Sequence, residues 1–436
     1  MNVAPAALAL VALLLADGAP ARDVRPNVLL LVMDTTRADR CSFLGYERPT
    51  TPCLAALAED SVVFTDAWSP ASWTGPAHAS LFTGLRPENH GFSSGNMLRL
   101  GERCRTLAEI LASSGYATGC FVNNDWISPE CGTSRGFATF VSMLGGDERP
   151  YPWAAETHDR AAQWAEAQTR AGRPFLLFIN DMEPHLRYSP DAADARAFVR
   201  GTFTEAEIRD GVEFDYPGAM SYSMGASEMP SRRLGLLSDL YDAEVASLDR
   251  DVGSLMDRLA RNGILDRTLV VVVSDHGELL GEHHLMSHGF SLHRAARRVP
   301  MLLRLPHVFD GGRRVDAVVR LEDVMPTVLD VCRAPVPAGL DGASLLSGLG
   351  GRVSLAVQDA DPQTRVRLEA LVPGGSAARL TTQIRAVYDG RHHLLRYGDG
   401  RSELYDLSAD PGETADLSVR EPDTVRRLTD LLPPGR

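Results

Sequence analysis

Three apolar runs, each ending in polar residues, are the strongest pattern along the chain. The first is PNVLLLVMD, which ends at Asp34; the second lies within residues 173–185 and the third within residues 269–278. A continuous apolar run of this length is typical of a strand buried on both faces of a parallel sheet. Because ligands bind beyond the carboxyl ends of strands in open α/β sheets, we expect the three polar ends to meet at one cleft.

An amphipathic helix precedes the third apolar run. Its apolar positions, spaced alternately by four and three residues, are Tyr241, Val245, Leu248, Val252, Leu255 and Leu259. This spacing predicts one buried helix face, and Asn262 with Gly263 predicts the helix end. Helical patterns between the apolar runs favour a doubly wound α/β architecture. Residues 187–231 are rich in Asp, Gly, Pro, Ser and Tyr, which predicts a short-helix insertion serving as a lid over the cleft.

The pattern changes from about residue 335 onward. Gly- and Pro-rich turns separate brief alternating runs such as TQIRAVYDG and RHHLLRYGDG, which predict antiparallel hairpins. The predicted fold class is therefore α/β, with a large, mostly parallel sheet flanked by helices in a catalytic domain of residues 22–334. A small antiparallel sheet is predicted in an α+β C-terminal subdomain of residues 335–436.

The N-terminus has the pattern of a secretory signal peptide. An apolar stretch from Val3 to Ala16 is followed by Ala19-Pro20-Ala21, an Ala-x-Ala cleavage pattern. Residues 1–21 are therefore predicted to be a signal peptide, and the protein to be periplasmic or secreted. The apolar stretch is too short to cross a bilayer as a helix, and later segments are less apolar, so we expect no stable membrane span.

Composition narrows the range of partners. The chain of 436 residues has 44% hydrophobic residues and a net charge of -13, which argues against nucleic acid or anionic membrane as a partner because both need a basic surface. The sequence contains no lysine, so any cationic side chain in a site must be Arg or His. The six cysteines match no zinc pattern, and they are interpreted as buried thiols or structural disulfides, with Cys120 and Cys131 as a plausible local pair.

Two strand ends carry residues that suit a metal ion. Asp34 follows a buried strand, where a carboxylate either caps a helix or coordinates a cation. Asp275 and His276 follow another strand, and an adjacent carboxylate and imidazole are a compact ligand pair for a divalent cation. Three histidines further on are more typical of helix caps or exposed positions: His283, His284 and His293.

The third strand end carries a histidine. His185 directly follows Pro184, which restricts Glu183 to extended geometry and directs the imidazole away from the strand end. An isolated histidine is most often a hydrogen-bonding residue, but this position favours anion binding or proton donation.

Taken together, these motifs resemble the sulfatase family of the alkaline phosphatase superfamily. The resemblance covers nearly the whole chain after residue 21, through VMDTTRADR, HASLFTGLRPENHG, MEPHLRY, VVVVSDHGELLGEHHL, RRVPMLL, EDVMPTVLDV and ELYDLSADPGETADL in that order. It implies an alkaline-phosphatase-like fold and a metal-dependent hydrolase of sulfuric or phosphoric esters. The implied substrate is a sulfated or phosphorylated small molecule, glycan or lipid headgroup.

The resemblance assigns a metal site to the strand ends. Asp34 corresponds to the family's first metal ligand. Asp275 and His276 correspond to the pair of ligands on the opposite side of the metal. Thr35 stands where many members have a second acid, so Ca²⁺-type, oxygen-rich coordination is less favoured, although Ca²⁺ stays possible. One divalent ion, Mn²⁺ or Zn²⁺ before Ca²⁺, is the predicted cofactor, with the hydroxyl of Thr74 as a further ligand.

The resemblance also assigns roles to three basic residues. Arg37 matches an arginine of the DTxR variant of the family, where it holds the nucleophile loop or the anion. His185 takes the place of the histidine that contacts the substrate anion. His288 falls where members have a lysine or histidine on the leaving oxygen.

Thr74 occupies the position that is oxidised to formylglycine in sulfatases. The family motif is Cys-x-Pro-Ser-Arg, or begins with Ser; alignment on the proline places Pro76 on that proline and His78 on the arginine. The methyl group on the Cβ atom of Thr74 blocks conversion to an aldehyde. The resemblance therefore predicts Thr74 as a plain hydroxyl nucleophile, with His78 orienting it or binding a non-bridging oxygen.

A threonine nucleophile changes which intermediate can break down. Hydrated formylglycine expels sulfate through its second hydroxyl, whereas a sulfated or phosphorylated threonine must be hydrolysed by water. Superfamily relatives with a threonine nucleophile act on phosphorus. The chemistry thus favours phosphate or phosphonate esters, while the overall motifs favour sulfatases, and both stay open.

Several weaker alternatives remain at this stage. Asn123 or Asn124 could contact the site, although a turn asparagine is the simpler interpretation. A second metal on Asp181, Glu183 and His185 is conceivable from their spacing. Two other functions compete with hydrolysis: a phosphoryl transfer to a glycan or lipid, and a catalytically inactive sulfatase-like binding protein. The retained ligand set argues against the inactive alternative.

Overall fold

A computed structural model describes residues 25–92, 98–144 and 154–433 of the chain. The predicted signal peptide, residues 1–21, lies outside these ranges.

The described chain contains strands and helices in alternation over its first three-quarters. The strands are β1 (Asn27–Met33), β2 (Val62–Trp68), β3 (Ala117–Val122), β4 (Thr139–Ser142), β5 (Phe175–Asp181), β6 (Thr268–Val273), β7 (Leu279–Leu280), β8 (Met286–Ser287), β9 (Arg298–Arg304), β10 (Arg313–Arg320), β11 (Ser354–Gln358), β12 (Ile384–Tyr388), β13 (His392–Tyr397) and β14 (Ser402–Asp406). The helices are α1 (Pro52–Ala58), α2 (Thr74–Thr83), α3 (Pro87–His90), α4 (Leu107–Ser113), α5 (Ala154–Arg170), α6 (Ala192–Phe198), α7 (Glu205–Val212), α8 (Tyr216–Ser223), α9 (Ser231–Arg261), α10 (Arg294–Arg297), α11 (Val324–Val331), α12 (Pro362–Leu371) and α13 (Pro422–Thr429).

The three predicted apolar strands are neighbours at the centre of the main sheet. Within the described ranges this sheet has eight strands in the order β10-β2-β9-β6-β1-β5-β3-β4. Strand β1 pairs in parallel with β5 and with β6, so that Leu31 lies opposite Ile179 on one side and Val272 on the other. Strand β9 runs antiparallel between β2 and β6. The predicted large, mostly parallel sheet is therefore confirmed.

Successive residues of β1 enter two different cores. Leu30 and Val32 pack on one face of the sheet with residues of α2, α4 and α11, whereas Leu29 and Leu31 pack on the other with residues of α5 and α9. Burial on both faces explains the unbroken apolar sequence of this strand, since each buried leucine contributes about 1.5–3 kcal/mol.

Helix α9 has the predicted apolar face. All six predicted apolar positions are buried, and the helix ends where Gly263 adopts a φ of 65°. The segment 187–231 contains three short helices, α6, α7 and α8, which share an apolar cluster with the first half of α9. The short-helix prediction for this segment is thus confirmed, and its role as a lid stays a prediction.

The C-terminal part forms the predicted small antiparallel sheet. Its strand order is β11-β12-β13-β14, and each neighbouring pair is antiparallel. Throughout the described ranges, none of the helices is both long and apolar enough to cross a membrane.

The predicted disulfide between Cys120 and Cys131 is absent, since all six cysteines are free. Cys120 lies in β3 and packs into the core beside Val122, whereas Cys131 belongs to a separate apolar cluster with Leu100 and Trp126. The two thiols therefore face different parts of the structure.

Candidate active site

The carboxyl ends of β1, β5 and β6 lie side by side, as their pairing requires. The backbone N–H of Asp34, just beyond β1, donates to the carbonyl of Asp181 at the end of β5 at 2.9 Å. On the other side, the Asp275 carboxylate accepts from the backbone N–H of Thr35 at 3.3 Å. The predicted cleft residues from β1 and β6 are thereby brought together.

Asp34, Asp275 and His276 form a cluster with metal-ligand geometry. Each offers one ligand atom, and these atoms lie within 4.8 Å of one another; all three side chains are 0% exposed. Asp34 Oδ1 and Asp275 Oδ2 have no hydrogen-bond partner in the described structure, and they lie 3.7 and 3.3 Å from His276 Nε2. Buried carboxylate oxygens without donors are costly unless a cation neutralises them, so this set fits one divalent ion.

The tautomer of His276 is fixed by its neighbour. His276 Nδ1 lies 2.9 Å from the carbonyl oxygen of Gly277 and donates to it, so the lone pair on Nε2 faces the two carboxylates. Burial, together with the positive charge of nearby His288, lowers the pKa of His276 to about 3. A neutral imidazole with a free lone pair is the form that binds a metal.

Thr74 lies at the edge of this cluster. It is the first residue of α2, and its side chain is 3% exposed. Its Oγ1 atom lies 3.4 Å from His276 Nε2 and 3.4 Å from Asn124 Nδ2. The ten-residue helix directs its N-terminal dipole toward this hydroxyl, which favours negative charge there.

Two amides hold the second oxygen of Asp34. Asn124 Nδ2 donates to Asp34 Oδ2 at 2.9 Å, and Asn180 Nδ2 donates to the same oxygen at 3.2 Å. Asn124 was a weak candidate in the sequence because turn asparagines are common, whereas Asn123 instead accepts from Thr157 at 3.1 Å. Asn180 was missed, although a polar amide within the apolar run FLLFIND is a visible signal.

His78 faces Asp275 from one turn along α2. Its Nδ1 atom lies 3.1 Å from the Thr74 carbonyl oxygen and 3.4 Å from Asp275 Oδ2. Burial lowers the pKa of His78, but the negative charges of the nearby Asp275 and Asp34 carboxylates outweigh it and raise the pKa above the usual value. His78 therefore contacts the backbone of Thr74 and lies beside Asp275, and its role in orienting Thr74 or binding a non-bridging oxygen stays a prediction.

His288 lies beside His276, and His185 lies beside His288. The ring centroid of His288 is 4.5 Å from that of His276 and 4.9 Å from that of His185. Burial and the charge of His288 lower the pKa of His185, whose Nδ1 lies 2.8 Å from the Leu186 carbonyl oxygen. Both predicted histidines therefore line the metal-type cluster.

Glu278 was not predicted, yet it contacts His288 directly. His288 Nδ1 lies 3.3 Å from Glu278 Oε2 and 3.4 Å from Oε1. Burial opposes the charged form of His288, but the Glu278 carboxylate outweighs it and raises the pKa. The glutamate stands two residues after His276 in SDHGE, a position that only the fold connects to His288.

Arg37 is not brought to Thr74. Its guanidinium forms an ion pair with both carboxylate oxygens of Asp39 at 2.8–2.9 Å, and donates to the Glu282 carboxylate at 2.7 Å. A third contact is made to the Glu278 carbonyl at 3.0 Å. These contacts place Arg37 behind the site, where it holds the segment after Asp34 against the segment after His276.

The second metal set considered in the sequence is not assembled. Asp181 Oδ2 instead accepts from His158 Nε2 at 2.8 Å, and His185 turns toward His288. His158 comes from α5 and carries no sequence signal for this contact. Among the described residues, Asp181, Glu183 and His185 do not form a group with metal-ligand spacing.

Comparison with known families gives matches over residues 26–430. A family model described as Sulfatase matches residues 26–334, and one described as N-sulphoglucosamine sulphohydrolase, C-terminal, matches residues 281–430. Arylsulfatase K of Gallus gallus is 24% identical over 95% of this chain and 83% of its own length.

Solved structures share the fold. The phosphonate monoester hydrolase of Agrobacterium radiobacter is 21% identical, with a TM-score of 0.74 over 93% of this chain and 94% of its own. The structure of BT4656 in complex with its substrate D-glucosamine-2-N,6-O-disulfate is 19% identical, with a TM-score of 0.72 over 93% of this chain and 96% of its own.

Proposed function

The chain belongs to the sulfatase family, and from that membership we propose that it hydrolyses anionic monoesters by a covalent mechanism with Thr74 as the nucleophile. The coarser prediction, a sulfatase-like ester hydrolase, is confirmed by the family match. The proposal rests on one observation. The Thr74 hydroxyl lies 3.4 Å from His276 Nε2, at the N-terminus of α2 and beside two buried carboxylate oxygens without donors.

Thr74 is proposed to stand where sulfatases carry formylglycine. The motif TGPAH places Pro76 on the family proline and His78 on the arginine. A threonine has a single hydroxyl, so a group transferred to it leaves only when water attacks the sulfur or phosphorus atom. This requirement favours phosphate and phosphonate monoesters, and the fold shared with a phosphonate monoester hydrolase agrees with it.

Asp34, Asp275 and His276 would hold one divalent ion, with the Thr74 hydroxyl as a further ligand. Two carboxylates, one imidazole and a hydroxyl suit Mn²⁺ or Zn²⁺ better than an all-oxygen Ca²⁺ site. When bound, such an ion lowers the pKa of the Thr74 hydroxyl and neutralises charge that develops on the ester oxygens.

The remaining steps are proposed to be carried out by side chains of this protein. The Thr74 hydroxyl first loses its proton to solvent, and the resulting alkoxide oxygen attacks phosphorus. The bond from phosphorus to the leaving oxygen breaks, and His288 gives that oxygen its proton. A water molecule next attacks the phosphothreonine, gives one proton back to His288 and restores the Thr74 oxygen. His185, beside His288, contacts the anion, while Asn124 orients both Asp34 and the Thr74 hydroxyl.

Sulfate ester hydrolysis is the second candidate. It is favoured by the family match and by the similarity to BT4656, which binds a disulfated glucosamine. The same residues would serve, with sulfur in place of phosphorus, so a substrate panel decides between them. In either case the proposed substrates are sulfated or phosphorylated small molecules, glycans or lipid headgroups.

The leaving group is proposed to be selected by the lid, residues 187–231. In support, the backbone N–H of Met286 donates to Ser223 Oγ at 3.0 Å, which ties the end of α8 to β8, directly before His288. Export to the periplasm or outside the cell is proposed from the pattern of residues 1–21, and N-terminal sequencing of the mature protein would test it.

The function is tested with matched aryl phosphate, phenylphosphonate and sulfate esters, each with Mn²⁺, Zn²⁺ or Ca²⁺. Thr74→Val removes the hydroxyl and keeps the side-chain shape. Thr83→Val does the same at the far end of α2, where the hydroxyl donates to the Ala79 carbonyl and accepts from the backbone N–H of Leu85. We expect Thr74→Val alone to abolish turnover, and acid-quenched wild-type protein to carry the transferred group on Thr74. Turnover by Thr74→Val within tenfold of the wild type would contradict the nucleophile. Wild-type protein inactive on every ester would indicate a binding protein instead.

A further inference from the structure

A second cluster of metal-type ligands lies outside the residues around Thr74. His283, His293 and Glu413 each offer one ligand atom, and these atoms lie within 4.8 Å of one another. They come from three separate segments: the turn between β7 and β8, the residue before α10, and the loop between β14 and α13. We propose that these three side chains form a second metal site, which binds Zn²⁺ and joins the β7–β8 turn to the C-terminal subdomain.

Binding of one ion requires the two imidazole rings to turn. They are stacked, with centroids 3.6 Å apart and an angle of 18° between their planes. Zinc binds imidazole nitrogen and carboxylate oxygen at about 2.0–2.2 Å, so any two ligand atoms around it lie within about 4.2 Å of each other. The three ligand atoms, which lie within 4.8 Å of one another, would therefore move closer as the partly exposed His283 ring turns out of the stack to direct its lone pair at the ion.

His293 supplies the observation that points to a ligand. Its side chain is 5% exposed, yet its Nε2 atom has no hydrogen-bond partner in the described structure. The nearest acid, Glu403, has an oxygen 3.3 Å away that already accepts from Tyr397 and Tyr405. The long contact to an oxygen that two phenols already occupy satisfies this buried ring nitrogen poorly, and coordination to a cation would satisfy it fully.

The other two residues leave ligand atoms accessible. The ring of His283 is partly exposed and has its stacking contact with His293, and no hydrogen bond of its ring nitrogens is found within the described ranges. Glu413 is buried; one oxygen accepts from the backbone N–H of Arg294 at 2.7 Å and the other from His393 Nδ1. Each carboxylate oxygen has two acceptor positions, so both contacts fix Glu413 and still leave a lone pair for an ion.

The position of the cluster gives it an entry path. His283 and Glu413 both line a surface cleft of about 430 Å³. An ion could enter from this cleft, which also leaves a fourth coordination position open to water. Two histidines and one carboxylate with an open position is a ligand set that zinc occupies in proteins.

The site would have a mechanical consequence for the active-site segment. The turn that carries His283 lies between β7, directly after Glu278, and β8, directly before His288. An ion that ties this turn to Glu413 would therefore fix the hairpin on which the Glu278–His288 pair depends.

Zinc stoichiometry tests the site independently of the proposed hydrolysis. The full-length protein is equilibrated with Zn²⁺, desalted and analysed by mass spectrometry of the metal, in wild type and in an Asp275→Ala background that removes a ligand of the first site. We expect two equivalents in wild type and one in Asp275→Ala. Adding His283→Ala to Asp275→Ala should remove the last equivalent and its rise in melting temperature.

The matched control is His284→Ala. His284 is the adjacent histidine with a similar backbone conformation, φ 58° against 54°, but its ring packs on Tyr222 outside the cluster. We expect this variant to keep both equivalents. His283 was chosen because the change leaves the buried His293 and Glu413 intact. Loss of Zn²⁺ in His284→Ala as well, no Zn²⁺ in Asp275→Ala, or a full equivalent retained in the double variant would overturn the proposal.

Discussion

His288 Nδ1 lies 3.3 Å from the carboxylate of Glu278, a residue that is itself buried at the base of the β7–β8 hairpin. The contact leaves the opposite ring nitrogen of His288 directed away from the carboxylate, where it can serve a substrate. Because Glu278 stabilises the protonated ring, the pair suits the proposed transfer of a proton from His288 to the leaving oxygen.

Replacement of His288 should therefore affect poor leaving groups most. In His288→Asn we expect hydrolysis of alkyl esters to slow by about 10²–10⁴-fold, the usual contribution of a general acid. Esters of 4-nitrophenol need no protonation of the leaving oxygen and should slow far less. Steady-state kinetics over a series of leaving groups checks this, and an equal loss for all of them would contradict the acid role.

The Glu278→Gln variant keeps the shape of the side chain that contacts His288 and removes its negative charge. As a positioning residue that acts through His288, Glu278 is expected to contribute to kcat and not to binding, so the variant should have a lower kcat for poor leaving groups and an unchanged KM. A charge-assisted hydrogen bond is worth about 1.5–3 kcal/mol, which corresponds to a loss of about 10–100-fold. A rise in KM with unchanged kcat would show that the glutamate acts on binding instead.

Asn124 links the metal-type cluster to Thr74, since its Nδ2 atom contacts both Asp34 and the Thr74 hydroxyl. In Asn124→Ala, Asp34 loses its 2.9 Å donor, and we expect metal affinity to fall by about 10–100-fold, as for other groups that orient metal ligands. Asn123→Ala is the matched control, because the neighbouring amide contacts Thr157 instead. Competition with a fluorescent chelator measures the affinity; equal affinity in the two variants would remove Asn124 from this role.

The central strands could be predicted because burial on both faces leaves an unmistakable apolar run. Asp34, Asp275 and His276 followed from the same pattern, since parallel strands place their carboxyl ends at one edge. The family resemblance added Thr74, His185 and His288, which the structure places around the same point.

The contacts that were missed depend on packing between distant segments. The contacts of Arg37 could not be predicted from its motif. Its guanidinium pairs with Asp39 and Glu282, and this arrangement forms only in the folded chain. The Cys120–Cys131 pair failed because alternation along β3 turns Cys120 into the core. Sequence spacing carries no information on either relationship.

Gly277 is required by the close approach of another backbone. A Cβ atom at this position would lie 2.0 Å from the carbonyl oxygen of Ala295, and a backbone atom cannot rotate away. Gly277→Ala should therefore lower the free energy of unfolding by at least about 1–3 kcal/mol, the usual cost of overpacking. Gly235→Ala, in α9 with no atom within 4 Å of the new methyl, should be neutral or stabilising. Urea unfolding measures the free energy of unfolding of both variants. Equal values for the two would contradict the steric argument.

His90 should make the stability of the fold depend on pH. Its Nδ1 accepts from the backbone N–H of Phe92 at 3.0 Å, and its Nε2 donates to Ser80 Oγ at 3.0 Å, so only the neutral ring fits. Burial lowers the pKa of His90 to about 3, against about 6.5 in an unfolded chain. Between these values the unfolded state binds the extra proton, and the contribution of His90, present above pH of about 6.5, is lost as the pH falls.

The expected loss is about 2 kcal/mol between a pH of about 7 and about 5, at a limiting slope of about 1.4 kcal/mol per pH unit. His90→Gln keeps a donor for Ser80 but does not titrate. The variant should be less stable than wild type at neutral pH, and the difference between the two should narrow by that amount on acidification. Urea unfolding across this range, followed by circular dichroism, measures both curves. Parallel curves would mean that His90 has the same pKa in the folded and unfolded protein, which the N–H of Phe92 pointing at its Nδ1 atom argues against.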